Sequence, residues 1–134
     1  GYMFYDNDEK IKNLCIQHPD KVPHRIAELA PCFEYAGEGE NRTVVGFSQI
    51  IMWLIDNFGE DKMVLQGIHA NLHSFHWTGS LIPYYNRNIV CFKQLLTHQK
   101  LEVRDWAKTC LELEEKDLKQ ELGNEEFDVM HYNL

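Results

Sequence analysis

An internal repeat with a constant spacing of 40 residues is the strongest constraint in this 134-residue sequence. Residues 9–34, 49–74 and 89–114 align without a gap. The turn column reads His18, Phe58, His98. Two first-helix columns read Ile11, Ile51, Cys91 and Cys15, Ile55, Leu95. The second helix opens on Pro23, Met63 and Val103, and two columns of small residues follow: Ala27, Gly67, Ala107 and Ala30, Ala70, Cys110. Helix pairs recurring at such a period are the sequence form of stacked helical hairpins, because one hairpin cannot bury its apolar face alone. The small columns fall four and seven residues after the helix opening, on one face. Small side chains there let neighbouring helices approach to the short end of the usual separation of roughly 8–10 Å.

Apolar periodicity places helices over about 9–16, 22–33 (with Pro31 kinking or ending the second), 47–57, 62–74, 88–97 and 101–122. The third is apolar almost all round and is expected at the centre. The sixth is expected to end before Gly123 and Asn124. Residues 35–46, with three glycines, and 75–87, rich in aromatics, read as linkers. No strand is expected. The architecture that follows is all-α: an alpha-alpha superhelix of three helical hairpins (9–34, 49–74, 89–122). It forms a single domain over 2–123, with an acidic and aromatic tail over 124–134.

The stretch Val103-Arg104-Asp105-Trp106-Ala107, placed after a turn on the second helix of a pair, resembles the HEAT repeat family of alpha-solenoids. That resemblance implies that Val103 and Ala107 pack inward and that Arg104 bonds in the turn. The second row, Met63 to Gly67, lacks the arginine; the first carries Arg25 one place late. The C-terminal half also resembles helical-repeat segments of larger bacterial multidomain proteins, and Gly1 ahead of Tyr2 and Met3 reads as a remnant, so the expectation is a piece of a longer chain. The implied function is a non-catalytic scaffold or protein-protein interaction module. Its partner would be another protein or other domains of the parent chain, it needs no cofactor, and its exposed repeat ends could also support a homo-oligomer. A second class, a nucleic-acid enzyme on a HEAT-like scaffold like the alkylpurine DNA glycosylases, would present a basic concave face.

Charge weighs against that second class. The formal net charge is −8, and residues 101–134 hold ten carboxylates against four cations, so most of the excess sits in the last quarter. No nucleic-acid partner is expected from this balance. No apolar run approaches the roughly 20 residues of a membrane helix, and no secretory signal opens the chain, so no membrane association is expected. Cys15, Cys32, Cys91 and Cys110 form no CxxC pair and sit in apolar contexts; buried free thiols in a reducing, cytoplasmic setting are the simplest account.

Few residues suggest chemistry. His69, His73 and His76 could line one helix face and hold a metal, but no HExxH pattern accompanies them, and packing or edge positions are the simpler role. His18 and His98 share the turn column and read as structural. Gly37 and Gly39 alternate with carboxylates, which would repel phosphate. Glu114, Glu115, Asp117 and Glu121 read as a solvated outer face supported by Lys116 and Lys119. Trp77, Tyr84, Tyr85 and Arg87, in the second linker, are the protein-interaction candidates, because Trp, Tyr and Arg are the side chains enriched at binding hot spots.

Overall fold

The computed structural model describes residues 2–74 and 77–132, with side chains over 7–74 and 77–127. Pro31 decides how the first third folds. Proline has no N–H and disfavours helical geometry at the residue before it. After α1 (Tyr2–Gln17), α2 (Val22–Leu29) accordingly stops short of Pro31, and Ala30 is extended (φ −69°, ψ 151°). The chain then leaves as β1 (Phe33–Ala36), reverses through a single 3-10 turn at Gly39–Asn41, and returns antiparallel as β2 (Thr43–Phe47).

This hairpin corrects two expectations, that residues 35–46 form a linker and that no strand is present. Phe33, assigned to the second helix, begins β1. Thr43, Val44 and Val45 supply the β-branched run that favours a strand. Gly37 and Gly39, at φ +89° and +58°, make the reversal that other residues resist. The pairing passes from Glu34↔Gly46 to Tyr35↔Val44, so Val45 is a bulge.

Ser48 joins the hairpin to α3 (Gln49–Phe58). Its hydroxyl accepts from the Ile51 N–H as an N-cap and donates to the Pro31 carbonyl at 2.6 Å, while its own N–H donates to the Cys32 carbonyl. α3 buries Ile50, Ile51, Leu54 and Ile55 at the centre of the core. Asp61 caps α4 (Lys62–Leu72) by accepting from the Met63 N–H. α5 (Ile82–Gln94) starts well before the expected residue 88, with Pro83 in its first turn, where proline is tolerated. Tyr84, Tyr85 and Arg87 therefore lie on a helix rather than in a linker. α6 (Leu101–Tyr132) continues through Gly123, whose Cβ position faces open space, so the helix end expected there is also corrected. The fold is predominantly helical with one two-stranded hairpin.

A close helix contact joins α2 and α4. A Cβ on Gly67 would stand 3.0 Å from the His24 carbonyl oxygen and 3.1 Å from the Ala27 Cβ, so only glycine fits without displacement. Beside it, the buried Asn71 amide donates to the carbonyls of Ala27 (3.0 Å) and Ala30 (2.7 Å). The Ala27 carbonyl would ordinarily bond to the N–H four residues on, but that residue is Pro31. Asn71 supplies the missing donor from the neighbouring helix.

The turns are linked as well. His98 Nε2 meets Asp56 at 2.7 Å, and Lys100 Nζ meets Glu60 at 2.7 Å, joining the α5–α6 turn to the end of α3 and the α3–α4 turn. The Lys100 N–H donates to His98 Nδ1, which leaves Nε2 as the nitrogen that carries the proton toward Asp56. Arg104 donates to the carbonyls of His98 and Gln99, inside the turn, as expected. Val103 and Ala107 are fully buried and Cys110 nearly so. A Cβ on Gly59 would lie 2.5 Å from Val103 Cγ2, so α6 opens directly against the α3–α4 turn. Phe47, on β2, packs edge-on to Phe92 of α5, and Phe92 does the same to Trp106 of α6.

Two outcomes follow from the α2–α4 contact. Asn71→Ala leaves two buried carbonyls without a donor, at about 1–3 kcal/mol each, and should lower the unfolding free energy by about 2–4 kcal/mol in denaturant titrations. Gly67→Val, which overfills the same contact, should cost about 1–3 kcal/mol despite removing a helical glycine.

Candidate functional site

The hairpin and the start of α5 enclose a concavity of about 490 Å³. Tyr35 and Arg42 reach it from the hairpin, and Trp77, Arg87 and Val90 from the α4–α5 connection and α5. Both strands exist because Pro31 ended α2, and α5 is held beside them because Gln94 Oε1 accepts from the Phe47 N–H at 3.1 Å. Tyr35 (44% exposed), Trp77 (37%) and Val90 (40%) remain open to solvent, which is unusual for three large apolar groups around one opening.

Arg87 is the hub of this surface. Its guanidinium carbon lies 4.1 Å from the Phe33 ring centroid, 4.8 Å from Tyr84 and 5.4 Å from Trp77. Its Nη2 donates to the Leu72 carbonyl at 3.0 Å and its Nε to Asn88 Oδ1 at 3.1 Å. A cation clasped between ring faces and carbonyl oxygens is fixed before any partner arrives. Arg42 repeats the motif at the rim, 4.1 Å above the Tyr35 ring. Trp77 is oriented by its own Nε1–H, which donates to the Ser80 carbonyl at 2.8 Å, and its ring lies 5.4 Å from that of Tyr84.

Of the four interaction candidates read from the sequence, Trp77, Tyr84 and Arg87 meet in this cluster. Tyr85 adjoins it through the Tyr84 ring at 5.3 Å, in the field of Asp117, Glu121 and Glu114 on α6. Tyr35 and Arg42 were missed because residues 35–46 read as a linker. The alternation of Phe33 with Tyr35, ahead of a β-branched run, was the available signal.

Behind Arg87 lies a buried polar cluster. Glu114, expected on a solvated outer face, is 3% exposed, and this too is a correction. It continues the buried stripe of Val103, Ala107, Cys110 and Leu111 at helical spacing, a pattern the sequence contained. Its Oε1 lies 2.7 Å from His73 Nε2 and accepts from fully buried Asn88 at 3.3 Å. Its Oε2 is buried without a hydrogen-bond partner. Burial, reinforced by Asp117, raises the Glu114 carboxyl to about 7, against the opposing effects of Asn88 and Arg87.

His73 contacts the His69 carbonyl through Nδ1 at 3.0 Å, and a carbonyl can only accept, so Nδ1 carries hydrogen. The short Nε2–Oε1 contact then needs one more proton, on the imidazole or on the carboxyl. Burial lowers both His69 and His73, which favours the neutral histidine facing a protonated Glu114. The His69 and His73 rings stack at 4.3 Å. His76, the third histidine of the candidate metal face, lies outside the described residues. Among those described, no group of three or more His, Cys, Asp or Glu is arranged to hold a metal ion.

The four cysteines are free and buried, and burial raises Cys15 to about 11 and Cys32, Cys91 and Cys110 to about 12. Thiols so held are poor nucleophiles at neutral pH. A second concavity, of about 390 Å³ between α4 and α6, has Leu65 and Trp106 on its walls and Glu60, Glu102 and Asp105 at its edge, with Lys62 the cation among them. Among the described residues, no helix is long and apolar enough to cross a membrane.

No family model matches this chain, and no match was found among curated proteins or solved structures.

Glu114 gives the stability a defined pH dependence. A carboxyl raised from about 4.5 to about 7 contributes stability that is fully present below 4.5 and is lost as pH rises through 7. His73, lowered from 6.5, acts oppositely, but only as pH falls below 6.5. His69 is lowered too and acts with His73, so above 6.5, as both contributions fade, the carboxyl dominates. Thermal unfolding should therefore show stability falling between pH 6.5 and 8, and Glu114→Gln, which removes the titration, should flatten that slope.

Proposed function

We propose that the chain is a non-catalytic, HEAT-like helical scaffold that binds a protein partner through the surface between the β1–β2 hairpin and α5. The single observation that carries this reading is the convergence of exposed Tyr35, Trp77 and Val90 around the fixed Arg87 guanidinium at a concavity of about 490 Å³. Aromatic and arginine anchors in a preformed hollow are what binding hot spots are made of. The HEAT-like part of the reading is supported by Arg104 bonding within its turn and by the inward-facing Val103 and Ala107. Leu14, Ile16 and Leu29 are exposed on the α1–α2 pair, a surface through which a further repeat, another domain of a parent chain or a second copy would pack.

The nucleic-acid alternative ranks lower. It requires a basic concave face, and the α4–α6 concavity is bordered by three carboxylates and one lysine.

A photo-crosslinking residue placed at Val90 in living cells tests the reading. It should yield a discrete protein adduct, and Tyr35→Ala combined with Trp77→Ala should reduce that adduct at least tenfold at unchanged expression. An adduct that survives both substitutions, or one that forms with nucleic acid, would sink the proposal.

A further inference from the structure

We infer that the groove between the hairpin and α5 takes an acidic peptide segment bearing an aromatic side chain. The inference rests on the protein-binding reading above and names the chemistry of its partner.

Charge is the first argument. Among the described residues, the charged groups lining the groove are Arg42 and Arg87, with no carboxylate beside them. This occurs in a chain of net charge −8, in which a second concavity is edged by Glu60, Glu102 and Asp105. These two hollows differ in sign, and the cationic one selects against basic partners through like-charge repulsion as much as it attracts acidic ones.

Preorganisation is the second. Arg87 is already stacked on Phe33 and held by the Leu72 carbonyl and Asn88, so its charge is delivered without ordering a flexible side chain. Arg42, exposed but resting on Tyr35, places a second guanidinium at the mouth, where it can steer an incoming carboxylate.

Shape is the third. Tyr35, Trp77 and Val90 present apolar surface beside these cations, and about 490 Å³ is room for one aromatic side chain with the backbone that carries it. An inorganic anion would leave that apolar surface wet. A nucleic-acid strand would need a longer basic track than two arginines offer.

The probe is the fluorescein-labelled hexapeptide Asp-Glu-Phe-Glu-Trp-Asp, followed by anisotropy with the purified chain. Its controls are the same peptide with every carboxylate replaced by its amide, and a thymidine hexanucleotide. The acidic peptide should bind saturably. The amide peptide should bind at least tenfold more weakly, as should the acidic peptide to Arg42→Glu. Arg42→Lys should recover part of the loss, and raising salt from about 0.05 M to about 0.5 M should weaken binding through screening. Circular dichroism and thermal unfolding confirm that Arg42→Glu, a change at an exposed hairpin position, keeps the fold.

Equal binding of the acidic and amide peptides, or indifference to Arg42→Glu, overturns the acidic-partner inference. If Trp77→Ala still abolishes that binding, the protein-binding reading stands. Tighter binding of the oligonucleotide than of the acidic peptide overturns both. Absence of binding by any probe overturns the inference, and the Val90 crosslink then decides the broader reading independently.

Discussion

The fold depends on one substitution of donors. Pro31 ends α2 and opens the route into the hairpin, but in doing so it strips the Ala27 carbonyl of its helical partner. Asn71 restores the bond from α4, and it can reach only because Gly67 lets the two helices touch backbone to side chain. A buried carbonyl left bare would cost about as much as a typical damaging mutation. Helix termination, interhelical approach and amide placement therefore stand or fall together. The hairpin that builds half of the groove is a direct consequence, since Ser48 anchors its return to the Pro31 and Cys32 carbonyls.

A second polar arrangement serves the other half of the groove. Arg87 faces the aromatic surface on one side and, through Asn88, the Glu114–His73 pair on the other. Burial raises the Glu114 carboxyl to about 7 and lowers both histidines, so each group of the cluster is shifted toward its uncharged form behind the fixed guanidinium. The orphaned Glu114 oxygen remains the costly element of that design.

The sequence conveyed helix content, small-residue packing and turn chemistry well, for local reasons. Ala27 and Gly67 lie in a small column and do touch. Arg104 follows a turn and bonds within it. What it conveyed poorly depended on context. Residues 35–46 have too many glycines for a clear alternation, and their strands are completed by docking on α5 through Gln94 and Phe92. Glu114 sits among exposed carboxylates, and only its position on the Val103–Ala107–Leu111 stripe distinguishes it from Glu115. Tyr84, Tyr85 and Arg87 were recognised by residue type, but Pro83 was read as part of a linker when it was opening a helix. The pairing of Arg42 with Tyr35 depends on the reversal at Gly37 and Gly39, which brings a position seven residues away onto one ring.

The length of α6 has a mechanical meaning. At about 1.5 Å per residue its 32 residues span about 48 Å. Leu118 still packs against the core, whereas Leu122 and Phe127 are exposed. Past Leu118 the helix runs on as an arm. Glu125 on this arm accepts from the Ser80 hydroxyl at 3.0 Å, and the Ser80 carbonyl accepts from the Trp77 indole. The far end of the longest helix and the aromatic wall of the groove thus share one short tether. Ser80 serves both at once, its hydroxyl donating to the arm and its carbonyl accepting from the indole.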